Sequence, residues 1–238
     1  MKHLIAVAAA LALAAIPALA SEATFDRNLT VNGRVELSVA TGSGYVHITR
    51  GSGSRLHISG RVRSNWGGSD EKVREIAANP PIEQTGNIVR IGHHENLHNI
   101  SIDYDIEAPA DSYLDATTGS GDITDDGVGE NARLNTGSGS IELHNLKGAL
   151  HAHTGSGNIR VNGSPVSEWK LGTGSGSVDL TVGNTGLTLD ASTGSGKIST
   201  DHEMTVQGSF DRHHMTGKLN GGGPTVRVET GSGNIEVH

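Results

Sequence analysis

Histidine is the residue type in this chain best placed to do chemistry. There are 13, and His151 and His153 stand two apart in an alternating segment, so both imidazoles leave the same face of a strand. Imidazoles at that spacing suit zinc or copper, which makes His151 and His153 the candidate metal ligands. His93, His94 and His98 form a second group, and His213 with His214 a third. No cysteine is present and no carboxylate keeps a fixed spacing from the pair, so a solvated polar face explains the same residues without a metal.

Other chemistries have residues that could serve them. The tetrapeptide T-G-S-G starts at Thr41, Thr118, Thr136, Thr154, Thr173, Thr193 and Thr230, and Gly-rich loops hold phosphate where backbone N–H groups converge at a helix N-terminus. Every copy here precedes a strand pattern instead. Gly194-Ser195-Gly196-Lys197 also lacks the first glycine of a P-loop, at Ala191, and its Ser or Thr, at Ile198. Calcium-binding nonapeptides need Asp at a nine-residue period, and Asp122 alone directly follows a T-G-S-G. A carbohydrate-active β-helix enzyme needs paired carboxylates on one face; Asp103 and Asp105 share a face, while Asp125 and Asp126 are expected in a loop. No G-x-S-x-G supports a serine hydrolase. Sugar stacking is served only by Trp66, alone in a loop, because Trp169 falls at an inward position.

These residues are positioned by a repeat. From Thr118 successive motifs are 18, 18, 19 and 20 residues apart, and the last interval, Thr193 to Thr230, is 37, which reads as two periods with a degenerate copy at Thr216-Gly217-Lys218-Leu219. Apolar residues stand four and two before each Thr, as in Ala132 and Leu134 or Leu150 and Ala152, and five and seven after it, as in Ile141 and Leu143 or Ile159 and Val161. Even offsets before the motif and odd ones after it cannot share a face of one strand. T-G-S-G must therefore be a bulge or corner that shifts the phase by one, with Gly42, Gly44, Gly119, Gly121, Gly137, Gly139, Gly155, Gly157, Gly174, Gly176, Gly194, Gly196, Gly231 and Gly233 supplying the backbone angles. Val128 and Leu146 mark a third apolar position on the return segment.

One such unit buries too few aliphatics to offset its own ordering, so neighbours must stack. The expected fold is all-β, a β-solenoid-like array of rungs of about 18–20 residues. Six places after the Thr, Glu142, Arg160 and Asp179 alternate in sign, as favourable cross-strand neighbours do. Three places before it, Arg133, His151 and Lys170 make a short cationic row suited to an acidic glycan or phosphate, with Asp115 and Asp190 to balance it. Residues 114–238 are read as the array and 21–113 as a β-rich cap continuous with it. Within the cap, Gln84 to Ile91 reads as one strand. Ser69, Asp70 and Glu71 open a short helix near 69–79, striped by Val73, Ile76 and Ala77 and stopped by Asn79-Pro80-Pro81.

The first twenty residues have a basic start at Lys2, an apolar run from Leu4 to Leu19, and Ala18-Leu19-Ala20 before Ser21. That is a secretory signal, with cleavage expected after Ala20. The product is expected in the periplasm, outside the cell or on its surface, with no transmembrane segment once the signal is removed. With 18 Lys and Arg against 26 Asp and Glu and a formal net charge of −8, nucleic acid is excluded as a partner. The array ends at His238, directly after a strand, so an uncovered last rung and weak end-to-end self-association are expected.

The repeated T-G-S-G-x-[IV]-x-[LV], the D-Y-D-I-E-A-P-A segment from Asp103 to Ala110, and G-G-G-P-T-V-R-V-E-T-G-S-G-N-I-E-V from Gly221 to Val237 resemble the bacterial β-strand-repeat family of unknown function labelled "putative adhesin". The resemblance runs from about Val31 to Val237. It implies an exported or envelope-associated domain and brings no catalytic residues and no cofactor. The expectation is a non-enzymatic adhesin-like or structural protein presenting a polar surface to envelope polysaccharide or protein. A carbohydrate-active enzyme and a periplasmic metal-binding module are the alternatives.

Overall fold

The computed structural model describes residues 22–51, 53–65, 69–93, 97 and 99–238. The expected signal at 1–20, and Trp66, His94 and His98, lie outside the described residues. The chain begins with β1 (Glu22–Thr30) and makes a first rung from β2 (Glu36–Thr41) and β3 (Val46–Arg50), joined by a T-G-S-G corner. An excursion follows through β4 (Arg55–Ser64), the helix α1 (Asp70–Ala78), β5 (Ile82–Thr85), β6 (Ile88–Ile91) and β7 (Ile100–Ala108). Rungs then form from β8 (Tyr113–Thr118) with β9 (Ile123–Asp126) and β10 (Asn131–Thr136) with β11 (Ile141–Leu146). Next come β12 (Ala149–Thr154) with β13 (Ile159–Gly163) and β14 (Trp169–Thr173) with β15 (Val178–Thr181). The chain closes with β16 (Leu187–Thr193) and β17 (Ile198–Thr200), the hairpin β18 (Met204–Phe210) and β19 (His214–Leu219), and a last rung, β20 (Thr225–Thr230) with β21 (Ile235–Val237).

The first strand of every rung joins an 11-stranded sheet, sheet 1, and the second a 10-stranded sheet, sheet 2. Rung pairs with rung in parallel and in register on both sheets, as β10 does with β12 and β11 with β13. The protein is a two-sheet β-solenoid. Its core is the set of merged apolar rows: Ala132, Leu134, Ile141 and Leu143 are all buried, and so are their counterparts in the neighbouring rungs. The phase shift arises because each T-G-S-G corner carries the chain from one sheet to the other. Trp169 is fully buried, and its indole N–H donates to the carbonyl of Gly148 at 2.6 Å.

The corner glycines have a different reason from the one expected. None of the fourteen has a left-handed φ. All of them but Gly42 face the backbone of a neighbouring strand or corner so closely that a β-carbon would clash, standing at Gly121, Gly139 or Gly157 well under 3.0 Å from a backbone oxygen. Close stacking, and not backbone angle, excludes side chains here. The motif Thr is equally determined, because all seven are buried. Thr154 Oγ1 donates to the Gly139 carbonyl of the rung below at 2.8 Å and accepts from the Gly157 N–H of its own corner at 3.1 Å. The same donation recurs at every copy, from Thr41 to Thr230. A second ladder lies beside it at the residue after the motif. There Asp122, Asn158 and Asn234 accept the N–H of Ser140, Ser177 and Lys197, respectively, in the next rung.

Rung order in space departs from chain order. β20 lies between β14 and β16, and β21 between β15 and β17. The final rung is thus inserted into the stack and paired on both edges, which removes the expected uncovered C-terminal rung. The expected degenerate copy at Thr216–Leu219 belongs to β19, which pairs antiparallel with β16 and with β18 and extends sheet 1 beyond the last rung. At the other end β6 and β7 pair in parallel with β2 and β3 and act as a rung without T-G-S-G. β4 and β1 extend sheet 2 antiparallel, and α1 buries Val73 and Ile76. Ser69 caps α1 by accepting from Lys72 N–H at 3.4 Å. The single strand expected over 84–91 is a hairpin, β5–β6, turned at Gly86 with φ +61.

Candidate functional site

A solenoid repeats its outward side chains at the strand spacing, about 4.8 Å, so each outward position becomes a row across the sheet. On sheet 1 the position three before the Thr runs through Arg90, Ser38, Asp115, Arg133, His151, Lys170, Arg227 and Asp190 on eight adjacent strands. The expected cationic row of Arg133, His151 and Lys170 is therefore continuous, and Arg227 joins it as a fourth member. Arg227 reaches that place only because its rung is inserted beside β14.

A groove of about 680 Å3 crosses this face. Arg90, Ser38, Asp115, Arg133, His151 and Lys170 line one row, and Ile88, Glu36, Tyr113, Asn131 and Ala149 line the other, with Glu168 at one end. Arg34 lies 4.9 Å from the centre of the Tyr113 ring, donates to its hydroxyl at 2.9 Å, and pairs with Glu130. Lys170 contacts Glu168 at 3.0 Å and Arg227 contacts Asp190 at 3.1 Å. These four side chains are all solvent-accessible, so each pair contributes under about 1 kcal/mol. Burial, followed by the charges of Arg133 and Lys170, lowers the His151 pKa from its ordinary 6.5. The shift favours the uncharged ring, a hydrogen-bonding group among cations.

His151 and His153 both emerge from the outer face of β12, as expected, and both are exposed. Their surroundings are cationic on one side: Arg133 and Lys170 are the register neighbours of His151, while Asn135 and Gly172 flank His153. Among the described residues no group of three or more His, Cys, Asp or Glu is placed to hold a metal ion. His93 bonds Ser38 Oγ at 2.9 Å, and the backbone N–H groups of His213 and His214 both donate to Asp211.

Asp103 and Asp105 share the outer face of β7, as expected, whereas Asp125 and Asp126 are separated by the fold. On sheet 2 Asp103 is buried and pairs with Arg63 at 2.6 Å, while its Oδ1 accepts the Tyr45 N–H at 3.2 Å. Asp105 is exposed and meets His47 at 3.1 Å and the Tyr45 hydroxyl at 3.0 Å. Asp125 and Asp126 are not in a loop but in β9. Asp126 faces outward and Asp125 inward, at the place that Leu143 and Ile48 occupy in the neighbouring rungs. Asp125 is fully buried; its Oδ1 accepts the Val128 N–H at 3.0 Å, and its Oδ2 has no partner. Burial raises its pKa to about 8. Along the outside of sheet 2 the expected alternation holds, with Arg160 3.5 Å from Glu142 and 3.8 Å from Asp179.

The sequence carries signals for two features besides the apolar periodicity. Thr filled an inward position in all seven motifs without an aliphatic exception, which marks a buried hydroxyl with a fixed partner. Asp, Asn or Ser stood directly after the motif in Asp122, Ser140, Asn158, Ser177 and Asn234, which marks a side-chain acceptor ladder.

No helix among the described residues is long and apolar enough to cross a membrane. No curated protein matches the chain significantly. Among solved structures, the chain is similar to a putative cell adhesion protein from Clostridium sporogenes ATCC 15579, with 13% identity, a TM-score of 0.50 and coverage of 90% of this chain and 99% of that one. It is also similar to a putative adhesin from Parabacteroides distasonis ATCC 8503, with 12% identity, a TM-score of 0.41 and coverage of 91% and 97%. At 13% identity the Clostridium structure speaks for the fold alone. The family model described as Toastrack DUF4097 matches residues 34–238, from the first rung to the last residue; the chain belongs to the Toastrack DUF4097 family.

Proposed function

We propose that the protein is an exported, non-enzymatic module of the cell envelope or its exterior, and that it binds a surface component through the outer face of sheet 1. The observation that carries this reading is the groove across adjacent strands of that face, lined by side chains whose spacing the rung register fixes. Such a surface is preorganised, because the Thr and Asn/Asp ladders hold each corner to the next and a ligand need not order it. Export rests on the leader read at residues 1–20, with cleavage after Ala20. The adhesion names of the structural neighbours agree with a binding role.

The carboxylates offer less to an enzyme: Asp103 is engaged by Arg63 and Tyr45, and Asp105 by His47 and Tyr45. A metal module would rest on His151 and His153 alone. The test is co-sedimentation of the purified, processed protein with isolated cell envelopes and insoluble polysaccharides, with and without chelator. Saturable, chelator-insensitive pelleting without loss of polysaccharide is expected. Absence of pelleting contradicts the binding role, and sensitivity to chelator transfers it to the histidines.

A further inference from the structure

We propose that the groove on sheet 1 takes a linear acidic polysaccharide, lying across the strands with its carboxylates along Arg133, His151 and Lys170 and reaching Arg227 on the strand beyond the groove. The inference rests on the reading that this face meets the envelope, and it names the ligand class. Three features of the row point to a polymer and not to a single small anion. Its members belong to four adjacent parallel strands, β10, β12, β14 and β20, in one register. Their spacing repeats at about 4.8 Å, of the same order as one sugar unit of an extended chain. The row runs at right angles to the strands, so a chain that follows it meets one cation or imidazole per rung.

The charges are placed for exchange with a ligand. The protein carries a formal net charge of −8, yet this row collects three permanent cations with His151 between them. No carboxylate within ion-pair distance of Arg133 or Arg90 is found among the described residues. Lys170 and Arg227 hold Glu168 and Asp190 in exposed pairs, which a ligand carboxylate can replace at little cost. Arginine presents a planar fork that matches a carboxylate with two parallel hydrogen bonds.

The opposite wall selects sugar over other polyanions. Glu36, Asn131 and Tyr113 offer acceptors and donors suited to hydroxyls, which a polyphosphate lacks. Glu36 also repels an anion from that side, while Asp115, next to Arg133 in the row itself, ends the cationic stretch at that edge. Exposed Ile88 and the aliphatic Ala149 add apolar surface for the faces of sugar rings.

The test measures binding of the purified protein to immobilised polygalacturonate, with dextran as the neutral glycan and polyphosphate as the non-sugar polyanion. Arg133→Glu with Lys170→Glu reverses the row, and Arg160→Glu makes a charge reversal on the outer face of sheet 2. All three positions are solvent-exposed, and unchanged thermal unfolding confirms that each variant is folded. Saturable binding to polygalacturonate is expected, weakened at least about tenfold by the double variant, reduced by salt and untouched by Arg160→Glu, with dextran not bound. Failure to bind polygalacturonate, equal binding by the double variant, or tighter binding of polyphosphate overturns the inference. If the double variant also loses pelleting with envelopes while polygalacturonate is not bound, the ligand class is wrong and the surface reading stands. If its pelleting is unchanged, the surface reading itself fails.

Discussion

Asp125 is a carboxyl in an aliphatic row, and its titration should leave a mark on stability that no sibling rung produces. Its folded pKa is about 8 against an ordinary 3.8, raised first by burial and then by Asp126, with the Val128 N–H opposing. The folded chain therefore keeps a proton that the unfolded chain has released over the window between those values. Stability falls as pH rises through that window, the reverse of a salt-bridged carboxylate. At 1.36 kcal/mol per unit, the effect of this group grows by roughly 4 kcal/mol between pH 5 and pH 8. Asp125→Asn keeps an oxygen for Val128 N–H and cannot ionise. Its amide leaves a partnerless donor where Oδ2 stood, a penalty of about 1–3 kcal/mol that does not vary with pH. Urea unfolding of both proteins at pH 5, 6, 7 and 8 isolates the group, because every other titration cancels in the difference. The variant should gain on the native protein with each step upward, by about 4 kcal/mol in all. A difference that stays constant with pH would refute the claim that an uncompensated carboxyl lies in the core.

The remaining predictions concern the stack. Thr154→Val leaves the Gly157 N–H and the Gly139 carbonyl without this hydroxyl, so chemical denaturation should show a loss of about 1–3 kcal/mol. Gly139→Ala sets a β-carbon against the backbone of the Gly121 corner and should cost about 3 kcal/mol or more, whereas exposed Ser138→Ala should stay within about 0.5 kcal/mol. Cysteines at Lys170 and Arg227, register neighbours across one edge of the inserted rung, should form a disulfide on oxidation, while a pair at Lys170 and Asp190, two strands apart, should not. Mass mapping of the cross-links decides between the inserted and the sequential order.

Period and phase were legible because they are local. The 18-residue spacing, the even-to-odd switch around T-G-S-G and the helix signals at Ser69 and Asn79 depend on a few neighbouring residues, and the structure carries each of them. The insertion of Thr225–Val237 between two earlier rungs was not legible, because all rungs offer nearly the same inward rows and edge hydrogen bonds. Arg227 was consequently absent from the expected cationic row. The glycines were located correctly but explained by the wrong property, since a close approach between rungs is a fact about stacking and leaves no trace in one repeat. The polarity of Asp125 points to a loop. Its offset, seven after Thr118, is the inward position that Leu143 and Val161 fill, and period outweighed residue type. The candidate groove combined both cases, with its row visible in the spacing and its depth and second wall visible only in three dimensions.

On the proposed function, one face of this solenoid, and not the other, engages the envelope. The measurement that tests it most directly is envelope co-sedimentation of three proteins side by side: the native chain, Arg133→Glu with Lys170→Glu on sheet 1, and Arg160→Glu on sheet 2. Pelleting retained by the native protein and the sheet 2 variant but lost by the sheet 1 variant is the predicted result. Equal pelleting of all three, or loss confined to the sheet 2 variant, would contradict it.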